Sequence, residues 1–296
     1  MVQPTLRGMA RAASVLLLPL WLGGCEAIGR GFLNAQGPVA EHERYFFLIV
    51  AGILLFVAGP VLILPPIFAW HYRLSNTTDA YRPKWAFSWP LEGLIWIPPI
   101  GIVILLAVLL WPATKEDDPY TRLSERGAPV RVQAIGLDWK WVFVYPDEGI
   151  ATVNRLPVPA GRPVQVQLTS GTVMQSMLLP QLAGQIYAMA GMSTKLNFAA
   201  DRPGTYLGQN TQFNGEHFSK QKFDVVALPA GEYEAWLART RGEGKPLDDA
   251  AWRALSRRGV VEQPLEFSSV PAGFYDRVVA ESGGRSHLHT DQSGHR

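Results

Sequence analysis

Metal and thiol chemistry have few side chains to draw on in this chain. It has one cysteine, Cys25, and six histidines, His42, His71, His217, His287, His289 and His295. One thiol allows no internal disulfide. Between residues 121 and 230 there is no cysteine and one histidine, His217. Thiolates and imidazoles are what a soft-metal centre draws on, so most such sites are ruled out there. His217 by itself reads as a surface or capped histidine. Met189 and Met192 flank Gly191, but methionine is more often a gap-filler than a ligand. His287, His289 and His295 belong to a polar tail, 281–296, which lacks apolar periodicity and is expected to be disordered. No nucleophile–base set or phosphate loop is present. Glu92 stands apart: it precedes Gly93-Leu94-Ile95-Trp96 at the start of an uncharged stretch. A carboxylate at such a boundary keeps its water and exchanges protons quickly.

The elements that position these groups follow from hydropathy and charge. The 296 residues are 48% hydrophobic and only 18% charged, a low charge for a wholly soluble protein. There are 27 Lys and Arg against 25 Asp and Glu, and the two surplus positives, Arg7 and Arg11, sit in the first 24 residues. The remainder is formally neutral, which leaves no basic footprint for nucleic acid.

Residues 1–24 have the anatomy of an export signal: a basic start and a short apolar run. They end in Leu22-Gly23-Gly24-Cys25, which resembles the bacterial lipobox and implies a lipid-modified Cys25. A periplasmic segment, 25–44, would follow. Residues 45–70 and 94–111 carry no charged side chain, and each stretch is long enough to span a bilayer. Transmembrane helices are therefore expected over 45–70 and 91–112. Arg73, Arg82 and Lys84 outnumber Asp79 in the loop 71–90, whereas Glu41, Glu43 and 116–118 flank the other side. The positive-inside rule makes that loop cytoplasmic and the C-terminal part periplasmic. The expected location is the bacterial inner membrane, as a multi-pass lipoprotein.

After a linker, 113–128, the pattern changes. Val130-Arg131-Val132-Gln133-Ala134 and Val164-Gln165-Val166-Gln167-Leu168 alternate, and Pro159-Ala160-Gly161 and Asp201-Arg202-Pro203-Gly204 are turn signals. This reads as an antiparallel sandwich over 129–230. Short helices are expected in an extension, 231–280, interrupted at Gly242-Glu243-Gly244-Lys245-Pro246.

Particular strings go further. Asp138-Trp139-Lys140-Trp141, Tyr145-Pro146, Gly149-Ile150-Ala151-Thr152-Val153-Asn154, Gln185-Ile186-Tyr187-Ala188-Met189-Ala190-Gly191-Met192 and Pro203-Gly204-Thr205-Tyr206 resemble subunit II of the haem-copper oxidases. The resemblance covers roughly residues 20–280 and is nearest the quinol-oxidising, bo-type branch. It implies a two-helix hairpin followed by a cupredoxin-like Greek-key sandwich. In the cytochrome c-oxidising branch that sandwich holds a dinuclear copper centre. By resemblance its ligand positions fall here on Gln175, Asn210, Asn214, Phe218 and Gln221, and a neighbouring magnesium-site position on Gln212. Every one is replaced. Trp139 and Trp141 correspond to that branch's aromatic electron path, and packing is the expected role without copper behind them. The resemblance also places Glu92 at the mouth of a proton-uptake channel that continues in subunit I.

The implied function is a non-redox structural subunit of a proton-translocating quinol oxidase. Haems and copper are expected in subunit I and no cofactor in this chain. Partners would be subunit I, other oxidase subunits, membrane lipid and quinol through the complex, with no cytochrome c. A cytochrome c oxidase subunit would need the copper ligands. A membrane-tethered copper chaperone or assembly factor would need Cys, His or Met clusters in the β domain.

Overall fold

A computed structural model describes Gly29 and residues 31–76, 86–123 and 127–292, with side chains as far as residue 283. Cys25 lies outside the described residues, as do Asp79, Arg82 and Lys84 of the loop. Two units are described in turn: 42–118, and 119–296 together with the segment before residue 42.

The first unit is built on two long helices, α1 (Pro38–His71) and α2 (Trp89–Glu116). Both are long and apolar enough to cross a membrane. At 1.5 Å per residue, α1 would reach about 51 Å, more than a bilayer's hydrocarbon core of roughly 30 Å. The helices outrun their uncharged stretches because backbone hydrogen bonding continues into water once the helix is nucleated. Pro60, Pro65 and Pro66 lie inside α1, and Pro98, Pro99 and Pro112 inside α2. Such prolines are tolerated where neighbouring groups re-satisfy the freed carbonyls. Apolar side chains point outward, with Phe56 74% exposed. Cations mark the ends: the Arg73 guanidinium lies 4.5 Å from the Trp70 ring centre and the Lys115 ammonium 4.8 Å from that of Trp111.

The second unit is a two-sheet sandwich, the architecture expected of a cupredoxin-like domain. Its strands are β1 (Val130–Leu137), β2 (Lys140–Tyr145), β3 (Ile150–Val153), β4 (Arg155–Pro159), β5 (Pro163–Ser170), β6 (Gln175–Leu179), β7 (Ala183–Ala188), β8 (Thr194–Ala199), β9 (Gly204–Asn210) and β10 (Lys222–Leu228). The extension adds α3 (Ala230–Glu243), β11 (Lys245–Pro246), α4 (Asp249–Leu255), β12 (Leu265–Ser269) and α5 (Phe274–Gln292). One sheet runs β11-β12-β3-β2-β1-β5-β8 and the other β4-β10-β9-β6-β7.

One expectation is corrected and two are extended. The sandwich is mixed, since β1 pairs with β5 and β4 with β10 in parallel. Side-chain alternation is the same whichever way the neighbouring strand runs, so periodicity could not show this. The extension is not purely helical, because β12 pairs antiparallel with β3 through Phe267 and Ala151, and β11 pairs with β12. Finally, α5 continues to Gln292, through most of the stretch read as a disordered tail. Residues past the expected boundary are anchored: Ser282 Oγ accepts from Gly191 N at 3.0 Å. A Cβ on Gly191 would come within 2.5 Å of Gly283 Cα, and Gly191 sits at φ +76°. Two glycines allow the helix and the loop to touch backbone to backbone.

The extension explains why β2 is buried on both faces. Trp141, Phe143 and Tyr145 point between the sheets, where they pack with Leu156, Phe198 and Phe223. Val142 and Val144 point the other way, onto Leu247, Phe267, Phe274 and Val278 of the extension. Each large side chain withdrawn from water this way contributes about 2 kcal/mol.

Candidate functional site

Three connections meet at one end of the sandwich: the β1–β2 turn, the β5–β6 loop and the long β9–β10 loop. The β1–β2 turn places Trp139 at φ +81°, a left-handed conformation for a non-glycine residue. This costs roughly 1–2 kcal/mol and is held from several sides. Trp139 N donates to Leu137 O at 2.9 Å, and its Nε1 donates to Asn214 O at 3.2 Å. The His217 ring stands edge-on to it, with centroids 4.8 Å apart. Trp139 is 8% exposed.

Behind this turn, Gln221 is the centre of an amide cluster and is 1% exposed. Its Oε1 accepts from Asn214 Nδ2 at 2.7 Å and Asn210 Nδ2 at 3.0 Å. Its Nε2 donates to Gln175 Oε1 at 2.6 Å and Leu137 O at 3.1 Å. Asn210 Oδ1 accepts from the backbone N–H groups of Ser176 and Gln212, both at 3.0 Å. Gln175 Nε2 donates to Thr172 Oγ1 at 3.2 Å, and that hydroxyl donates to Asp138 Oδ1 at 2.9 Å. The chain of bonds ends in the extension, where Arg258 Nε donates to Asp138 Oδ2 at 2.9 Å. Among the described residues, Asn214 Oδ1 has no partner.

Of the six positions singled out in the sequence, four therefore meet through their side chains: Gln175, Asn210, Asn214 and Gln221. Gln212 joins through its backbone, donating to and accepting from the Asn210 amide. Phe218 opens a short 3-10 turn and packs on Phe213, with centroids 5.7 Å apart. Trp141 is wholly buried against Phe143 and Phe223. Among the described residues, no group of three His, Cys, Asp or Glu could hold a metal ion.

Lys140 escaped the sequence reading. It is 2% exposed, and its ammonium donates to Leu255 O at 2.9 Å and Arg257 O at 2.7 Å. These carbonyls end α4, where a cation also meets the negative end of the helix dipole. Burial lowers the Lys140 pKa, while Asp138 partly restores it. The available signal was a lysine set between two tryptophans in a strand that alternation alone would bury on one face. Asn154, at φ +56°, secures the same segment: its Oδ1 accepts from Trp141 N and its Nδ2 donates to Val261 O.

Glu92 lies elsewhere, in the first turn of α2, where a carboxylate suits the helix N-terminus. Its Oε2 accepts from Trp96 Nε1 at 3.1 Å, one turn on.

The family model for the periplasmic domain of cytochrome c oxidase subunit II matches residues 148–227. Ubiquinol oxidase subunit 2 of Acetobacter aceti is 37% identical over 278 residues, covering 92% of this chain and 89% of that protein. Cytochrome bo(3) ubiquinol oxidase subunit 2 of Pseudomonas putida is 40% identical over 238 residues, 80% of this chain and 75% of its own. A solved structure, the periplasmic domain of subunit II of cytochrome oxidase from Bradyrhizobium japonicum, aligns at TM-score 0.37 and 23% identity over 38% of this chain and 93% of that one. Identity of this level over nearly the whole length shows that the chain belongs to the subunit II family of the quinol oxidases.

Proposed function

We propose that this chain is the non-redox subunit II of an oxidase that passes electrons from quinol to oxygen and translocates protons. Haems and copper reside in the partner subunit I. The observation that carries this reading is the amide cluster. Gln175, Asn210, Asn214 and Gln221 bond to one another and to the backbone. That donor set does not fit a dinuclear copper centre, which needs bridging thiolates completed by imidazoles. Electrons would then pass from quinol directly to subunit I. Val173, Met174 and Phe213, exposed in the β5–β6 and β9–β10 loops, supply apolar surface for the other oxidase subunits.

Purified from native membranes, the complex should consume oxygen with quinol and not with reduced cytochrome c. Metal analysis should find no copper beyond that of subunit I. Two further coppers per complex, or turnover on cytochrome c, would sink the assignment.

The anchoring follows the same reading: helices α1 and α2 span the inner membrane, the sandwich is periplasmic, and Cys25 carries lipid. Mass spectrometry of the N-terminal peptide should find a blocked, acylated Cys25. An unmodified Cys25 refutes that part. Glu92 collects protons for an uptake channel in subunit I. Glu92→Ala should slow oxygen consumption per haem with assembly intact, while Glu92→Asp retains more activity. Wild-type turnover in the alanine variant removes the role.

A further inference from the structure

The two long helices bring four titratable side chains together at one end. His42 of α1 is hydrogen-bonded through Nδ1 to Asp117 Oδ1 at 2.7 Å, and its Nε2 lies 3.7 Å from Glu116 Oε2. Glu43 follows His42 on the same helix. Glu43 is only partly exposed. Glu41, Arg44 and Lys115 stand on the same helix ends, and Asp118 lies two residues past α2. All of these groups lie outside the uncharged stretches 45–70 and 94–111, hence outside the membrane-spanning segments proper.

Two carboxylates around one imidazole favour its protonated form. A third carboxyl close by cannot ionise without adding like charge to the group. We propose that His42, Glu43, Glu116 and Asp117 form a pH-sensitive clasp between the ends of α1 and α2, taking up and releasing protons as a unit.

The electrostatics of the individual groups agree. The hydrogen bond to Asp117 holds the His42 pKa above its ordinary value, against the opposing effect of burial. Burial first, and then Asp117, push Glu43 up to about 7, with His42 pulling the other way. Both shifts are upward, so both favour the closed clasp when protons are bound. The His42 contribution is complete below its ordinary pKa of 6.5 and is lost as pH rises through the raised value. The Glu43 contribution is complete below 4.5 and has gone once pH passes about 7. Across the neutral range the clasp is therefore tighter below the transition and slacker above it. Placing it in the periplasm rests on the topology proposed above. The proton chemistry does not, so each can fail without the other.

The test is infrared difference spectroscopy of the full-length chain in lipid nanodiscs, titrated across neutral pH. In the wild type, a protonated carboxyl signal should disappear near neutrality, and Glu43→Gln should remove that signal. Asp117→Asn takes away a like charge and should lower the Glu43 transition by about one pH unit. His42→Gln takes away a positive charge and should raise it. Glu41→Gln, one residue from the pair, should leave it in place. Ionisation of Glu43 in the ordinary carboxylate range in the wild type overturns the clasp without recourse to any variant. So does an unmoved transition in Asp117→Asn, or an equal shift in Glu41→Gln, which would reduce the effect to net charge.

Discussion

On one side of the β1–β2 turn, four neutral amides divide their hydrogen bonds among themselves. On the other side, one buried ammonium supports the end of α4. The amide side gains little from any one bond, since a neutral hydrogen bond nets only about 1 kcal/mol. Its strength is that Gln221 serves three other amides and the Leu137 carbonyl at once. The ammonium makes stronger, charge-assisted bonds, but Lys140 gives up much of its hydration to make them. Neutral groups can therefore be buried as a hub at low cost, whereas a buried charge offsets part of its own benefit.

Four substitutions would break or sharpen that contrast. The largest loss is expected for Gln221→Leu, which strands the Asn214 and Gln175 amides and weakens the hold on Asn210. About 3 kcal/mol should disappear from urea unfolding of the full chain, together with amide-exchange protection across the β9–β10 loop. Lys140→Met should cost less, about 2 kcal/mol, because the lost bonds are partly offset by removing a desolvated charge. Exchange should rise first in residues 255–261, which Lys140 and Asn154 hold.

The pH dependence separates these two variants further. Folding lowers the Lys140 pKa below its ordinary 10.5, so the charged form is the one penalised. That penalty is present below the lowered value and absent above 10.5, and wild-type stability should gain accordingly as pH climbs through this range. Lys140→Met should lack the gain. Equal slopes in the two proteins would mean that the ammonium is not desolvated.

Asn214→Ala should cost about 1 kcal/mol, because it removes one bond to Gln221 and an Oδ1 that already lacks a partner among the described residues. Arg258→Ala should cost least, under about 1 kcal/mol. The Arg258 side chain is 75% exposed, and Asp138 keeps its bond from Thr172. A larger loss there than in Gln221→Leu would reverse the ranking of the two sides.

How far the sequence revealed these features depends on how local their physics is. The long helices were legible because lipid requires apolarity at almost every position, and residues 45–70 and 94–111 meet that demand directly. Their outer limits were not, because Pro38 and Glu116 extend the helices past the apolar stretch. The amide positions were legible only through the family resemblance. Nothing in the spacing of Gln175 and Gln221 says that their side chains meet across 46 residues. Lys140 was illegible because its burial depends on the extension more than a hundred residues later. Strand β11 has only two residues, too few to carry a period.

The cover that the extension lays over β1–β3 also bears on how the protein is made. Ile135, Leu137, Val142 and Val144 share an outer cluster with Leu247, Leu255, Phe267, Phe274, Tyr275 and Val278 of the extension. A chain emerging N-terminus first would thus form the first three strands well before that face can be covered. During the interval it would present a greasy, unpaired sheet edge and face, the kind of surface that aggregates or recruits a holding chaperone. Truncation before residue 265 should leave most of that face bare, so quality control of this subunit would read the arrival of β12 and α5.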